Sequence, residues 1–322
     1  MYNISYKYKQ FWFFLIKMSI VIGAGYFVYQ QLLTDNSFEM VAILSLIKSQ
    51  LQKAIWFFPL LLGLTLLNWL LEIYKWQLLV STIEKISFKR ALRQSLSAHT
   101  LSLITPFKAG EYGGKVLYFE KNNRAKIAFL NFIGNMTQLL MTFVLGFLGL
   151  VFFINHFSIT IYPRKIRFLG FFIAFTIIAL IGKKTIPYGK RGNYLQRAMR
   201  FAKNISTKTK AKVLLVSLLR YIIFSHQFYL LVVLFGVEVS YQIAIMLIFS
   251  MYLLVTLLPV MSLFDFVIKG SVAIYLFQFV GADKGIIMII STLMWLLNFV
   301  LPALIGSYYV LSFQSKKMVL AR

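Results

Sequence analysis

The sequence has no cysteine, and it is poor in histidine and in acidic residues. The absence of cysteine excludes disulfides, thiolate catalysis and cysteine-based metal sites. Its three histidines have no metal-ligand spacing, and the GxxxxGK[ST], HExxH and GxSxG motifs do not occur. We therefore expect no metal, no cofactor and none of the common hydrolytic or nucleotide-dependent chemistries.

Apolar residues, in contrast, make up 60% of the chain, and the mean hydropathy is +0.77. Only 13% of the residues are charged, against about 25% in a soluble domain. The 34 basic and 9 acidic residues give a net charge of +25. This basicity is also typical of nucleic-acid-binding proteins, but here the basic residues lie between apolar stretches. We expect a membrane protein with no nucleic-acid partner.

Six stretches meet or approach the roughly 20 apolar residues that a membrane-spanning helix needs. They are 11–33, 55–80, 127–154, 166–182, 213–235 and 286–313. Two further apolar segments, 94–118 and 244–280, are interrupted by a helix-breaking proline, Pro106 and Pro259 respectively. Each proline is followed by an acid and, four residues later, by a lysine. The pairs are Glu111 with Lys115 and Asp265 with Lys269.

The charges of the loops indicate how the two interrupted segments run. If each returns to its side of entry as a re-entrant hairpin, 22 Lys and Arg residues face one side and 6 face the other. Basic loops stay in the cytoplasm, so this arrangement is favoured over two single crossings. We therefore expect a multi-pass protein of the cell membrane with the N- and C-termini both cytoplasmic.

The same topology predicts an internal repeat. Residues 1–154 and 155–322 each contain two spans, a hairpin and a further span, and they start from opposite sides of the membrane. The predicted fold is thus an all-α polytopic membrane protein with six transmembrane helices and two re-entrant broken-helix hairpins. The two halves form an inverted-topology repeat.

The first hairpin contains the strongest candidate site. Inserting a charged side chain at membrane depth costs at least about 2.5–3.5 kcal/mol of free energy. We therefore expect Glu111 and Lys115 to have a partner or a function that offsets this cost. Glycines 110, 113 and 114 would let a lipid headgroup approach the backbone, and Lys108 would add positive charge. The alternative is that Glu111 lies in the first turn of a half-helix and simply pairs with Lys115.

Asp265 and Lys269 occupy the matching place in the second half, although that segment lacks glycines beside the acid. The match suggests that both hairpins contribute to one site near the midplane. The alternative is again a local stabilising pair.

Four other polar residues within the spans are secondary candidates. Glu72 and Lys75 are expected to pair and to snorkel towards the interface. Arg220 is expected either to snorkel or to contribute to an anion path. His226 is expected to be hydrogen-bonded within the bundle, with a proton relay as the alternative.

The run from Ser102 to Glu111 (SLITPFKAGE), followed by Gly114-Lys115, resembles the conserved block of the lysylphosphatidylglycerol synthase transmembrane region, a flippase-like family. The pair Lys75-Trp76 also resembles an Arg/Lys-Trp feature of that family. In the family's second block a proline precedes glycines and a glutamate, whereas this chain has Asp265 and no glycines there. The resemblance implies movement of a lipid or lipid-linked headgroup between leaflets. The family's aminoacyl-transferase activity is not expected, because the chain ends at Arg322.

Three functions follow as hypotheses. The first is a lipid flippase or transporter for an anionic phospholipid or lipid-linked headgroup, with membrane lipids as its partners. The second is a non-transporting accessory subunit that recruits a lipid- or glycan-modifying enzyme, for example through the basic loop 183–212. That loop is expected to be solvated or to form an amphipathic helix on the membrane surface. A transferase acting on polyprenyl-linked sugars is a minor third possibility.

Overall fold

A computed structural model of the protein describes residues 57–105, 109–159, 200–258 and 265–313. Within these residues it is helical and has no strand, which confirms the all-α class. The helices are α1 (Phe57–Val80), α2 (Phe88–Ile104), α3 (Ala109–Val116), α4 (Arg124–His156), α5 (Thr207–Leu234), α6 (Tyr241–Thr256), α7 (Asp265–Phe277), α8 (Lys284–Trp295) and α9 (Leu301–Leu311). A π-helical turn, Leu296–Val300, joins α8 to α9.

Four of the predicted spans are confirmed as helices that are long and apolar enough to cross a membrane. They are α1, α4, α5 and the continuous rod Lys284–Leu311. Large apolar side chains cover their outer faces, as at Leu66, Leu148 and Leu304, which are 62%, 55% and 65% exposed. Water would not favour such a surface, whereas lipid chains would. The chain is therefore a multi-pass membrane protein. The predicted spans 11–33 and 166–182 and most of the loop 183–212 lie outside the described residues.

Polar caps fix where several helices begin. The Ser87 hydroxyl accepts a hydrogen bond from the Arg90 N–H, and the Ser206 hydroxyl accepts one from the Thr209 N–H. The Asp283 carboxylate accepts one from the Ile286 N–H. Each bond satisfies an N–H group that the first turn of a helix leaves without a partner. These caps determine the starts of α2, α5 and α8.

Each interrupted segment forms a pair of packed helices. The first helical pair is α2 with α3, and the second is α6 with α7. Helix α2 begins at Phe88, six residues before the predicted segment 94–118, because Ser87 caps it there. The second pair similarly starts at Tyr241 rather than at residue 244. Helix α3 has eight residues and is about 12 Å long, so it cannot cross a bilayer.

The two ends of the first helical pair meet at one end of the bundle. Ile86, before α2, and Phe119, after α3, belong to one apolar cluster together with Ile205 and with Ile127 at the start of α4. The Arg90 guanidinium lies 5.5 Å from the centroid of the Phe119 ring. We call this end of the bundle the basic end, because the described segments 81–93, 117–126 and 200–212 carry twelve Lys and Arg residues there.

The second helical pair starts and finishes at the other end, which we call the far end. Phe279, after α7, lies 5.2 Å from Phe153 and 5.3 Å from Phe157, measured between ring centroids at the end of α4. Helix α6 runs antiparallel to α4, because Gly146 faces Leu253 and Gly149 faces Met246. The 33 residues of α4, about 50 Å of helix, separate the two ends. The two helical pairs therefore enter the bundle from opposite ends.

Packing between the two halves follows one pattern in both directions. Helix α6 packs on α4, and helix α2 packs on α9, so the first helix of each pair lies against the last helix of the other half. Both contacts depend on glycine. A Cβ atom on Gly149 would lie 2.6 Å from the Met246 carbonyl oxygen, and one on Gly306 would lie 2.3 Å from the Leu96 carbonyl oxygen. Helix α1 packs on α5 between these contacts. An inverted repeat would produce this pattern, and the division into residues 1–154 and 155–322 stays a prediction.

Replacing Gly149 by alanine tests this close approach. The new Cβ would force α6 away from α4, and overpacking of this kind costs about 1–3 kcal/mol. We expect a lower melting temperature in detergent, measured by tryptophan fluorescence or with a dye that does not react with thiols.

Gly63→Ala is the matched control, since a Cβ there meets no atom within 4 Å in the described part of the chain. In a helix, alanine is about 1 kcal/mol more favourable than glycine, so this variant should be unchanged or more stable. Two substitutions that shift the melting temperature in the same direction would contradict the packing account.

Candidate functional site

A cavity of about 470 Å³ lies between the two helical pairs. It is lined by side chains from α1, α2, α3, α4, α5, α6, α7, α8 and the π-helical turn. Glu111 and Lys115 from the first pair and Asp265 and Lys269 from the second all line it. The structure thus brings both predicted acid–lysine pairs to one cavity, although they are 154 residues apart along the chain.

In the first helical pair, Lys115 is almost completely buried. Its Nζ lies 3.2 Å from Glu111 Oε1 and donates a hydrogen bond of 2.7 Å to Asn131 Oδ1. The ammonium group also lies 4.4 Å from the centroid of the Trp76 ring, an arrangement in which the face of the ring attracts the cation. The predicted pairing of Glu111 with Lys115 is therefore present, and it forms part of a larger network.

Glu72 of α1 is the centre of that network. Its carboxylate contacts the Arg220 guanidinium, and it lies 2.8 Å from Lys75 Nζ and 3.9 Å from Lys115 Nζ. Arg220 Nε also donates to Asn68 Oδ1 at 3.1 Å. One carboxylate thus holds three cations that come from α1, α3 and α5.

The expected snorkelling of Lys75 differs from what the structure shows, since its side chain is 3% exposed and points to Glu72 inside the bundle. Arg220 lies in the cavity wall and not at the interface. The reason is electrostatic, because Glu72 offers both cations a closer partner than the interface does.

The second helical pair carries a simpler arrangement. Lys269 and Asp265 form an ion pair across one turn of α7. The Lys269 ammonium lies 4.6 Å from the centroid of the Phe299 ring and 6.0 Å from that of Tyr252. Both acid–lysine pairs thus have an aromatic face beside the lysine. The first pair is connected to further charges, whereas the second is surrounded by aromatic residues.

The glycines of the first helical pair have a packing role in this structure. A Cβ on Gly110 would lie 2.2 Å from the Leu101 carbonyl oxygen, and one on Gly114 would lie 2.8 Å from Ala98 Cα. Both glycines let α3 lie directly on α2. A Cβ on Gly113 would meet no atom within 4 Å in the described residues. The Gly110 N–H donates to the Thr105 hydroxyl at 2.7 Å, so this group is already satisfied within the protein.

Three predicted site residues, Pro106, Lys108 and Pro259, lie outside the described residues. His226 is described but does not line the cavity. Its Nε2 and the Tyr241 hydroxyl are 2.8 Å apart, and its Nδ1 lies 2.8 Å from the Ile222 carbonyl oxygen. This position favours a structural, hydrogen-bonded histidine over a proton relay into the cavity.

A polar network joins the two halves beside the cavity, and the sequence analysis did not identify it. Asn298 accepts from Asn68 Nδ2 at 3.1 Å and donates to Gln227 Oε1 at 2.9 Å. Gln227 Nε2 donates in turn to the Thr65 hydroxyl at 2.8 Å. Amides in the middle of apolar spans are the signal that could have found these residues, since an unsatisfied amide is costly in a membrane.

The π-helical turn supplies backbone acceptors to this network. The Leu301 N–H donates to the Leu296 carbonyl, five residues back. Pro302 has no N–H to offer the Asn298 carbonyl, which instead accepts from Trp69 Nε1 at 3.2 Å. The Phe299 carbonyl lies 3.0 Å from His99 Nε2. π-Helical turns are frequent at functional sites. Here two carbonyls of the turn contact Trp69 of α1 and His99 of α2.

The fold and the cavity together define a polytopic α-helical membrane protein with a charged internal site. A comparison with protein families assigns residues 15–306 to the lysylphosphatidylglycerol synthase TM region. The chain belongs to this family, which confirms the resemblance seen in the sequence. No curated protein and no solved structure matches the chain significantly.

Replacing Asn298 by alanine tests whether the polar network holds the two halves together. It would remove the partners of Asn68 and Gln227, and each buried polar group left unsatisfied costs about 1–3 kcal/mol. We expect a clearly lower melting temperature in detergent.

Asn123→Ala is the control, because Asn123 makes no side-chain capping bond at the start of α4. Equal melting temperatures for the two variants would show that the network adds nothing to stability.

Proposed function

We propose that the protein moves a lipid with an anionic headgroup from one leaflet of the membrane to the other. The observation that carries this proposal is that two helical pairs, which enter from opposite ends, contribute their charged residues to the same cavity. A transporter that exposes one site to each side in turn needs this arrangement. Membership of a lipid-related membrane family supports the lipid as the substrate.

The composition of the cavity favours a small anionic group. Four cationic side chains (Lys75, Lys115, Arg220 and Lys269) and three carboxylates (Glu72, Glu111 and Asp265) line it, so its formal charge is +1 with His99 neutral. Its volume of about 470 Å³ lies within the 300–1,000 Å³ that is usual for ligand sites. A headgroup would occupy the cavity while the acyl chains stay among the apolar outer faces of the helices.

In the proposed topology, six helices span the cell membrane and the two helical pairs are re-entrant hairpins that enter from opposite faces. The twelve basic residues at the basic end stand against Lys284 alone in the described segments 235–243 and 278–285 at the far end. The positive-inside bias therefore favours a cytoplasmic basic end, with both termini on that side. Each hairpin would gate the cavity on its own side.

Transport should depend on the charged pair of the first hairpin. Lys115→Ala removes a cation that would balance the anionic headgroup. Glu111→Gln removes the carboxylate that lies 3.2 Å from Lys115 Nζ, so the ammonium group is no longer held at its place in the cavity wall. We expect each variant to slow translocation at least about tenfold, which corresponds to 1.4 kcal/mol. The measurement is dithionite quenching of a fluorescent anionic phospholipid in proteoliposomes.

Glu238→Gln and Lys212→Ala are the charge-matched controls, since both residues are exposed and lie outside the cavity. Wild-type rates in all four variants would contradict the assignment of the site, and no translocation above protein-free vesicles in the wild type would contradict the function itself.

The topology can be tested with single cysteines, because the chain has none of its own. Cysteines at Lys89 and Lys121 flank the first hairpin, and cysteines at Val239 and Asp283 flank the second. We expect the first two to react with a membrane-impermeant maleimide only in inverted vesicles and the last two only in intact cells.

Opposite reactivity of the two positions that flank one hairpin would show that the segment crosses the membrane.

The accessory-subunit hypothesis has one observation in its favour, namely the basic end itself, where Phe201 and Ile205 dock a basic segment against α1, α2 and α4. It predicts a stable partner enzyme in gentle detergent extracts. It also predicts that activity is lost when loop 183–212 is deleted and is kept in the cavity variants.

A further inference from the structure

Three cations converge on one carboxylate in the cavity wall. Lys75, Lys115 and Arg220 come from three different helices, and each of them contacts Glu72. The Glu72 side chain is 14% exposed, so the cavity gives access to it. The second acid–lysine pair lacks this convergence, because Asp265 has one ion-pair partner, Lys269, among the described residues.

This arrangement resembles the way in which proteins bind phosphate. A guanidinium and two ammonium groups around one oxyanion are typical of phosphate sites, because each phosphate oxygen can accept from a different cation. The five charged groups Glu72, Lys75, Glu111, Lys115 and Arg220 have a formal charge of +1. If Glu72 left the three cations, the remaining four groups would carry +2.

We infer that Lys75, Lys115 and Arg220 form a phosphate subsite that the Glu72 carboxylate occupies in this structure and that the phosphate of the substrate takes over. The inference rests on the proposed function and names the part of its site that binds the anion. Glu72 then acts as an internal counter-anion. Together with Glu111, which lies 3.2 Å from Lys115 Nζ, it keeps the two buried lysines and the partly buried Arg220 compensated while the site is empty. Its return helps to expel the phosphate afterwards.

A neutral residue at position 72 should therefore strengthen binding and slow transport. Glu72→Gln keeps the size of the side chain and an acceptor oxygen, but it no longer competes with the phosphate. We expect the variant to bind an anionic headgroup about tenfold more tightly, equivalent to 1.4 kcal/mol. It should translocate the lipid more slowly, because release becomes harder. If Glu72 itself bound the headgroup, the same substitution would weaken binding and slow transport together.

The experiment measures binding to the purified full chain in detergent by thermophoresis. The probes are dihexanoyl phosphatidylglycerol, zwitterionic dihexanoyl phosphatidylcholine and glycerol 1-phosphate, which separates a lipid headgroup from a free phosphate ester. Glu238→Gln is the control, because it changes the net charge of the chain equally from an exposed position outside the cavity. Translocation is measured in proteoliposomes with the same proteins.

Tighter binding of phosphatidylglycerol by Glu72→Gln, with phosphatidylcholine and the control unchanged, supports the inference. Unchanged or weaker binding by the folded variant overturns it, even if the wild type transports lipid. Tighter binding of glycerol 1-phosphate without any lipid translocation keeps the phosphate subsite and overturns the proposed function.

If Glu72→Gln does not fold, Glu72→Asp replaces it, since its shorter carboxylate competes less well. A two- to threefold gain in affinity is then expected, and no gain overturns the inference.

Discussion

A charge inside a membrane-spanning bundle needs a partner, and much of this structure follows from how that need is met. Each uncompensated charge costs at least about 2.5–3.5 kcal/mol at membrane depth, and seven charged side chains line the cavity. Glu72 compensates three cations, and Asn68, Asn131 and Gln138 accept the remaining hydrogen bonds of Arg220 and Lys115. Because these partners lie on α1, α3, α4 and α5, the helices must keep their relative positions for the charges to stay compensated.

The same need explains the close packing between the halves. A short helix such as α3 brings its charges to the cavity only if it lies directly on α2, and Gly110 and Gly114 permit that approach. Helices α2 and α6 in turn lie against the last helix of the other half at Gly306, Gly146 and Gly149.

Hydropathy was sufficient to predict the helical class and the four long spans that the structure describes, because it is averaged over about twenty residues. The interrupted segments and their acid–lysine pairs were visible as well, since proline and charge are rare in such surroundings. The role of Glu72 was missed because pairing with Lys75, three residues away, satisfied the local pattern. Its contact with Arg220, 148 residues further on, depends on how α1 packs on α5. The start of α2 was also missed, because the polar residues after Ser87 read as a loop.

Transport as proposed requires that the cavity becomes accessible from both sides of the membrane in turn. A cysteine in place of Thr142 reports this accessibility, because Thr142 lines the cavity and its hydroxyl bonds only within α4 among the described residues. The substitution therefore leaves the charged network intact, and the chain has no other thiol. We expect an impermeant maleimide to label this cysteine from the outside in intact cells and from the cytoplasmic side in inverted vesicles, with added anionic lipid slowing both reactions. Labelling from one side alone, whatever lipid is present, would contradict it.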